Sequence, residues 1–349
     1  MASSAGQVGA CADVAIVILN WNGANFLRRF LPGVLIHADG ARVIVADNAS
    51  TDDSVELLAR DFPLVELLLL DRNFGFCEGY NQALAQVDSE FIMLLNSDVE
   101  VTLGWLRPLR SLLEASPRIA AVQPKILAQA DPTFFEYAGA GGGYLDRLAY
   151  PFCRGRLFDT LEKDHGQYDD SRPVAWASGA CLLVRRSVWV ALGGLEPAFF
   201  AHMEEIDFCW RLWNAGHEAW YHGGSAVHHV GGGTLPKTSP RKTYLNFRNG
   251  IALLYKNAAP SELYSAMLQR LLLDGVAGLR FLARGQGGNF MAVLRAHFSF
   301  YRRLGYWRKL RQTNKPHLRV SQRPGVYNGS LVWAYFAQGK RKFSELGLK

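Results

Sequence analysis

Along roughly the first hundred residues, short apolar runs alternate with stretches of helical period. Residues 14–20 (VAIVILN), 42–46 (RVIVA), 65–70 and 91–95 (FIMLL) are short for helices and show little polar alternation. Such runs read as strands buried on both faces of a parallel sheet. Between them, helical patterns cover residues 26–35, 54–62 (SVELLARDF) and 78–86, and another starts near Leu103. The alternation is βαβαβαβ, which predicts an α/β fold with a doubly wound, mostly parallel sheet flanked by helices. Right-handed connections gather the carboxyl ends of these strands along one edge, where ligands of open α/β sheets bind.

Three polar clusters terminate the strands: Asn20-Trp21-Asn22, Asp47-Asn48 and Asn96-Ser97-Asp98. Asp98, beside two short oxygen-bearing side chains, can hold a hard divalent cation that bridges a diphosphate. The same triplet also suits a turn that caps the next helix. Asp47 is placed to accept hydrogen bonds from a nucleotide's base or ribose, or to cap the helix beginning near Asp53, a job also open to Ser50 and Asp52. After the third strand, Arg72-Asn73-Phe74-Gly75-Phe76 and then Gly79 form a turn. Gly75 and Gly79 admit close approach of backbone to a ligand, and Arg72 offers a phosphate its fork of donors; otherwise this is a plain turn with a surface arginine. Neither GxGxxG after the first strand nor GxxxxGK[ST] occurs, which excludes a dinucleotide fingerprint and a P-loop.

Two later stretches carry chemistry. In Glu204-Glu205-Ile206-Asp207-Phe208-Cys209-Trp210-Arg211, apolar residues alternate with acids as in a helix with an acidic first turn. Glu205 and Asp207 fall on different sides of that turn, so one can act as a general base while the other holds the backbone or pairs with Arg211 at i,i+4. The alternative is that the acids only complement the helix dipole. His228-His229 precedes Gly231-Gly232-Gly233-Thr234. A neutral imidazole suits a Mn²⁺-like ion and flexible glycines let a loop close over a diphosphate, although a lone histidine is more often structural.

Composition sets bounds. The 349 residues are 49% hydrophobic and 12% aromatic, enough to bury a large core. The N-terminus lacks a basic n-region and its apolar run is short, which predicts neither signal peptide nor membrane span and places the chain in the cytoplasm. Cys11, Cys77, Cys153, Cys181 and Cys209 are widely spaced and include no CxxC pair, which argues against a disulfide framework and a zinc site. The net charge of +7 is uneven: residues 235–349 hold 21 Lys and Arg against three acids, whereas residues 1–234 hold 17 against 28. An acidic body with a basic tail predicts an anionic partner, a membrane surface or a nucleic acid. Residues 263–282 are apolar but interrupted by charge. Residues 291–310 (MAVLRAHFSFYRRLGYWRKL) mix aromatics with Arg and Lys as in a helix lying at a membrane interface, or one packed on the body with a solvated basic face. No RRM, KH or helix-turn-helix signature supports nucleic acid as the partner.

The runs VAIVILNWN, VADNASTDDS, DRNFGFCEGYNQAL and FIMLLNSDVEV resemble the nucleotide-sugar-binding half of a family-2 glycosyltransferase with the GT-A-type fold. Residues 176–234 resemble the acceptor half, particularly of the bacterial branch with rhamnosyl- and galactofuranosyltransferases. The resemblance implies a flexible N-terminus (1–12), a catalytic domain (13–234, divided at 102/103 into donor and acceptor halves) and a basic helical C-terminal region (235–349). It implies an inverting, metal-assisted transferase of cell-surface polysaccharide synthesis, peripheral on the inner face of the membrane. The donor would be a dTDP- or UDP-linked sugar such as rhamnose, and the acceptor a glycan or lipid-linked sugar. The implied donor-site residues are Asn20, Asn22, Asp47, Asn48, Arg72, Asn73, Gly75, Asn96 and Ser97. Asp98 and His229 would hold Mn²⁺ or Mg²⁺, and Trp176, Ser178 and Gly179 would wall the acceptor. Glu205, with Glu204 in reserve, and Asp207 would be catalytic, Glu205 standing where the family usually carries Asp. The family's Asp-x-Asp is here Asn96-Ser97-Asp98, with only the second carboxylate kept. Two other uses of the same sheet edge are nucleotidyl transfer and non-catalytic binding of sugar nucleotides.

Overall fold

The computed structural model describes residues 9–231 and 239–348. Residues 1–8 of the expected flexible N-terminus, Gly232, Gly233 and Thr234 of the glycine loop, and the 234/235 boundary lie outside the described residues. Within residues 9–12, Cys11 is buried and its N–H donates to the Asp39 carbonyl at 3.0 Å.

The N-terminal half alternates as the pattern predicts. Its elements are β1 (Val14–Asn20), α1 (Ala24–Ile36), β2 (Arg42–Asp47), α2 (Ser54–Asp61), β3 (Glu66–Leu69), α3 (Gly75–Leu84) and β4 (Phe91–Asn96). There follow β5 (Val99–Val101), α4 (Leu106–Ala115), β6 (Ile119–Ala128), the short strands β7 (Gly143–Asp146), β8 (Pro151–Cys153), β9 (Arg156–Leu157), β10 (Thr160–Leu161) and β11 (Ser171–Pro173), then β12 (Cys181–Arg185), α5 (Arg186–Leu192), α6 (Glu204–Asn214) and β13 (Glu218–His229). The main sheet runs β11-β13-β6-β12-β4-β1-β2-β3, with β5 pairing β13. Strands β1 to β4 are parallel, whereas β12 is antiparallel to β4, with Leu183 opposite Met93, so the sheet is mixed. An antiparallel neighbour needs no crossover helix, and β12, which follows a turn at residues 179–180, runs antiparallel beside β4.

The apolar runs bury both faces because side chains alternate along a strand. Val14, Ile16 and Ile18 of β1 join Phe91, Met93 and Leu95 of β4 under α1 and α4, while Ala15, Val17, Ile92 and Leu94 face α3 and the rest of the chain. Burying each large aliphatic side chain stabilises the fold by about 1.5–3 kcal/mol. The strand at 65–70 is shorter than its pattern and only half-buried, because β3 is the sheet's edge. α3 starts at Gly75, earlier than the pattern suggests. There Asn73 Oδ1 accepts from the Gly75 N–H at 2.8 Å and Asn48 Oδ1 accepts from the Phe74 N–H at 2.9 Å.

The basic C-terminal region holds α7 (Pro240–Asn257), α8 (Pro260–Ala283), α9 (Gly287–Arg302), α10 (Leu304–Asn314), β14 (Val326–Tyr327) and α11 (Leu331–Phe336). It shares one core with the body: Ile251, Leu254, Phe300, Trp307 and Phe343 belong to the cluster that contains Val17 and Leu94. β14 also completes a five-stranded sheet, β10-β9-β8-β7-β14. A buried polar knot joins the two parts. Asp274 accepts from Arg270 at 2.9 Å and from the Tyr150 hydroxyl at 3.0 Å, with His297 at 3.2 Å. The interfacial helix expected over 291–310 is two helices, broken between Arg302 and Leu304, and Trp307 is buried against Phe199 instead of facing outward.

Candidate active site

The expected donor edge forms where register sets Asn20 opposite Asp47 and Leu19 opposite Asn96. Asp47 is buried, its two oxygens accepting from Asn20 Nδ2 at 3.0 Å and the Ser50 N–H at 2.9 Å. It therefore organises the edge and neither caps α2 nor lies open to a nucleotide; Asp52 meets the helix ends, accepting from the Ser54 N–H at 3.1 Å and the Ala24 N–H at 3.0 Å. Asn22, in the left-handed region at φ 53°, accepts from the Thr51 N–H at 2.7 Å, and Trp21 beside it is half exposed. Asn48 is buried too, and donates to the Gly75 carbonyl at 3.0 Å and Asn73 Oδ1 at 3.2 Å. The exposed Arg72 lies 4.7 Å from the Phe74 ring and has no carboxylate partner among the described residues, so its fork is free for a phosphate. Gly75 serves a different approach from the one expected: at φ 75° a Cβ there would lie 2.7 Å from the Phe200 ring, so the glycine admits the protein's own acceptor-side loop.

Asn96, Ser97 and Asp98 are half-buried at the end of β4, where the Asn96 N–H donates to the Ala180 carbonyl at 3.0 Å. β13 brings His229 across, with its Nε2 3.2 Å from Asp98 Oδ1. His229 Nδ1 lies 3.2 Å from Glu136, a carboxylate the sequence reading missed. Burial would lower the His229 pKa, but the two flanking carboxylates hold it up to about 10. His228 points elsewhere, 3.9 Å from Glu100. Two ligands bound at right angles to one ion at about 2.1 Å sit about 3 Å apart, so the Asp98–His229 spacing fits neighbouring positions on a Mn²⁺ or Mg²⁺. No group of three or more His, Cys, Asp or Glu able to hold a metal occurs among the described residues, so such an ion would take its remaining ligands from diphosphate and water.

The expected acceptor side is built on a contorted loop. Phe200, His202 and Met203 all have positive φ, at 66°, 69° and 74°. Non-glycine residues held so cost of order 1–3 kcal/mol each and cluster at functional sites. α7 holds the loop in place: Asn249 Nδ2 is shared among the carbonyls of Phe199, Ala201 and His202 at 3.0, 2.9 and 2.7 Å. Arg248 donates to the carbonyls of Ala198 and Phe199, both at 2.9 Å. Neither clamp residue was marked as functional in the sequence, since both lie beyond residue 234.

The loop delivers three acids with different surroundings. Glu205 is half-buried with one carboxylate oxygen unpartnered, and burial pushes its carboxyl up to about 7. Glu204 is more deeply buried, and burial together with the Glu205 charge raises its carboxyl well above the usual range. Asp207 is different. It is fully buried, accepting from Arg211 at 2.9 Å, Lys256 at 2.8 Å and Asn257 at 2.7 Å. Burial alone would raise its carboxyl, but the Lys256 and Arg211 charges hold it below the usual range. The expected i,i+4 pair with Arg211 is present, and Asp207 is a structural anion without access to a substrate, contrary to the catalytic role expected for it.

The expected acceptor wall divides similarly. Gly179 lies against Glu205, its Cβ position 3.6 Å from the Glu205 Cβ. Ser178 is buried behind it, its hydroxyl donating to the Ala138 carbonyl at 2.9 Å. Trp176 lies in the core, 3% exposed, its indole N–H donating to the Tyr144 carbonyl at 2.9 Å, so it cannot touch an acceptor.

Residues 15–188 match the family model described as glycosyl transferase family 2. The chain is 28% identical over 219 residues to an N-acetylglucosaminyl-diphospho-decaprenol L-rhamnosyltransferase of Mycobacterium tuberculosis, covering 58% of this chain and 70% of the relative. It is 24% identical over 212 residues to the rhamnosyltransferase WbbL of Escherichia coli, covering 58% and 78%. Among solved structures, GalNAc-T7 with UDP, GalNAc and Mn²⁺ superposes with a TM-score of 0.54 at 16% identity, over 70% of this chain and 48% of GalNAc-T7. The chain thus spans about half of that protein's length. The mannosyltransferase PcManGT of Pyrobaculum calidifontis, with GDP-Man and Mn²⁺, gives 0.50 at 14% identity over 87% and 84%. These likenesses establish the GT-A-type α/β fold.

Proposed function

The chain belongs to glycosyl transferase family 2, and from that membership we propose that it moves a hexose, rhamnose or a near relative, from a dTDP- or UDP-linked donor to a hydroxyl of a lipid-linked glycan, with inversion. The observation that carries the reading is the Glu205 carboxylate. One oxygen is unpartnered, its proton affinity is poised near neutrality, and it stands beside Gly179, whose neighbour Ala180 is bonded to the donor edge at Asn96. Asn20, Asp47 and Asn48 frame the edge that receives the nucleotide, and Asn22, Arg72, Asn73 and Ser97 line its open side. Asp98 and His229 would hold a divalent ion, which would offset charge on the departing diphosphate. Glu205 takes the proton of the acceptor hydroxyl as its oxygen attacks the anomeric carbon from the face opposite the leaving group, and one direct displacement inverts that centre.

Names of the relatives support the sugar and the acceptor: one is a rhamnosyltransferase for a diphospho-decaprenol acceptor, another a rhamnosyltransferase. No helix among the described residues is long and apolar enough to cross a membrane. Peripheral attachment to the inner face is supported by α8, whose Leu268, Leu272, Val276 and Leu279 are each more than 60% exposed at the spacing of one helix face. The test is incubation of the purified chain with dTDP-rhamnose and UDP-sugars and a polyprenyl-diphosphate-linked glycan. Release of nucleoside diphosphate with an inverted glycosidic bond by NMR, lost in Glu205→Gln, supports the reading. Release of pyrophosphate, retention at the anomeric carbon, or binding of donors without turnover on any acceptor rejects it.

A further inference from the structure

A second charged cleft lies outside the donor edge, between α7 and α9. It has a volume of about 560 Å³, and Arg241, Tyr244, Arg295, Phe298, Ser299 and Arg302 line it. The three guanidinium groups have no carboxylate partner among the described residues. The three acids of the C-terminal region are committed elsewhere: Glu262 accepts from the Val320 N–H at 2.9 Å, Asp274 is buried in its knot with Arg270, and Glu345 accepts from the Lys342 N–H at 2.9 Å. A cleft with three uncompensated arginines and a hydroxyl pair, Tyr244 donating to Ser299 at 2.9 Å, is a host for a multiply charged anion with oxygen acceptors.

What surrounds the cleft selects the carrier of that anion. Arg295, Phe298 and Arg302 sit at i, i+3 and i+7 on one face of α9, and Met291, Leu294 and Tyr301 flank them. Phe298 is 71% exposed, and the other three are exposed as well, so the arginines rise from an apolar ledge. A free anion has no use for such a ledge, whereas a phosphorylated lipid satisfies both parts. The cleft also adjoins the acceptor side, because Arg241 lies 5.4 Å from the Phe200 ring, which packs against Gly75 of the donor edge.

We propose that the α7–α9 cleft grips the diphosphate of a lipid-borne acceptor, with Arg241, Arg295 and Arg302 on the phosphate oxygens and Phe298 and its apolar neighbours in the lipid surface. The proposal rests on the lipid-linked acceptor reading above and locates where that acceptor is held.

The test is co-flotation of the full chain with phosphatidylcholine vesicles with and without a polyprenyl diphosphate, alongside titration of inorganic pyrophosphate in solution. Wild type is expected to float at least about tenfold more strongly with diphosphate-bearing vesicles than with phosphatidylcholine alone. The Arg295→Gln/Arg302→Gln double variant is expected to lose roughly 10- to 30-fold in vesicle affinity, at about a few-fold to tenfold per arginine at a charged surface. Phe298→Ser is expected to weaken vesicle binding while leaving pyrophosphate binding intact, and Arg295→Lys/Arg302→Lys to retain part of the affinity, with circular dichroism confirming that each variant is folded. Flotation independent of the diphosphate, pyrophosphate binding without vesicle binding, or an unaffected double glutamine variant overturns the proposal. The assay needs no turnover. If sugar transfer to a lipid-linked acceptor proceeds while vesicle binding ignores the arginines, the site falls and the transferase reading stands; if transfer fails while diphosphate vesicles bind, the reverse holds.

Discussion

Substituting Asp207 separates structure from chemistry in the acidic turn of α6. Asp207→Asn keeps the shape of the side chain and removes its charge, leaving Lys256 (2% exposed) and Arg211 (8% exposed) without the anion that pairs them. Glu196, at 3.6 Å from Lys256, is the remaining carboxylate and cannot serve both. Breaking a buried pair in this way costs about 3–5 kcal/mol, because an uncompensated charge stays in the low-dielectric interior. Lys256 projects from α7, the helix that clamps the 198–202 loop, so part of the loss appears as loosening of that loop. The assay is urea unfolding followed by tryptophan fluorescence, with nucleotide binding measured in parallel below the transition. The pH dependence has a definite sign. The Asp207 carboxyl is held below its unfolded value, so its contribution is full above about pH 4, the ordinary range of an aspartate, and drains away as the pH falls through the folded value. The variant should therefore differ from wild type most at neutral pH and converge with it in acid. Wild-type stability in Asp207→Asn together with a thousandfold loss of turnover would refute the structural assignment and restore Asp207 as a reacting group.

Three further outcomes follow from the site. The acid limb of kcat/KM should fall near pH 7, activity rising as Glu205 loses its proton, and Glu205→Gln should lose at least a hundredfold in kcat without melting earlier; a limb near pH 4.5 would count against this base. Glu136→Gln should weaken Mn²⁺ binding by roughly 10- to 100-fold, read by the EPR signal of the free ion, since it removes the carboxylate behind the imidazole proposed to hold the ion; unchanged affinity would leave Glu136 only a packing role. Gly75→Ala should lower stability by about 1–3 kcal/mol and raise the KM for donor, because it forces an alanine to positive φ against the Phe200 ring; a wild-type KM would show that the donor and acceptor loops are not coupled there.

The strand ends and their order were legible because period and turn chemistry are local. Runs such as VAIVILN and FIMLL can be buried only on both faces, and the Asn and Asp residues that follow them stop the strands where ligands bind. The antiparallel β12 was not legible, since nothing in CLLVR fixes its direction relative to β4. Within the site, Asp98 and His229 stand out in the sequence because each residue type suits a cation, and the fold brings them within 3.2 Å although 131 positions separate them. Glu136 was missed: it lies in a glycine- and tyrosine-rich stretch with no period, and only the fold carries it to His229. Trp176 and Asp207 failed in the opposite way. The family resemblance placed them on the acceptor side, but burial and partners, which decide reactivity, come from distant segments at Tyr144 and Lys256. In the basic tail, a helical pattern over 291–310 does not reveal the break after Arg302 that turns Trp307 into the core.

The most direct test of the account is calorimetric titration of UDP, dTDP and GDP into the wild-type chain and Asp98→Ala, each with and without Mn²⁺ or Mg²⁺. The account predicts that one of the UDP or dTDP pair binds, that the ion strengthens its binding, and that Asp98→Ala abolishes this metal dependence. Failure of every nucleoside diphosphate to bind with either ion, or equal binding by the variant, would contradict it.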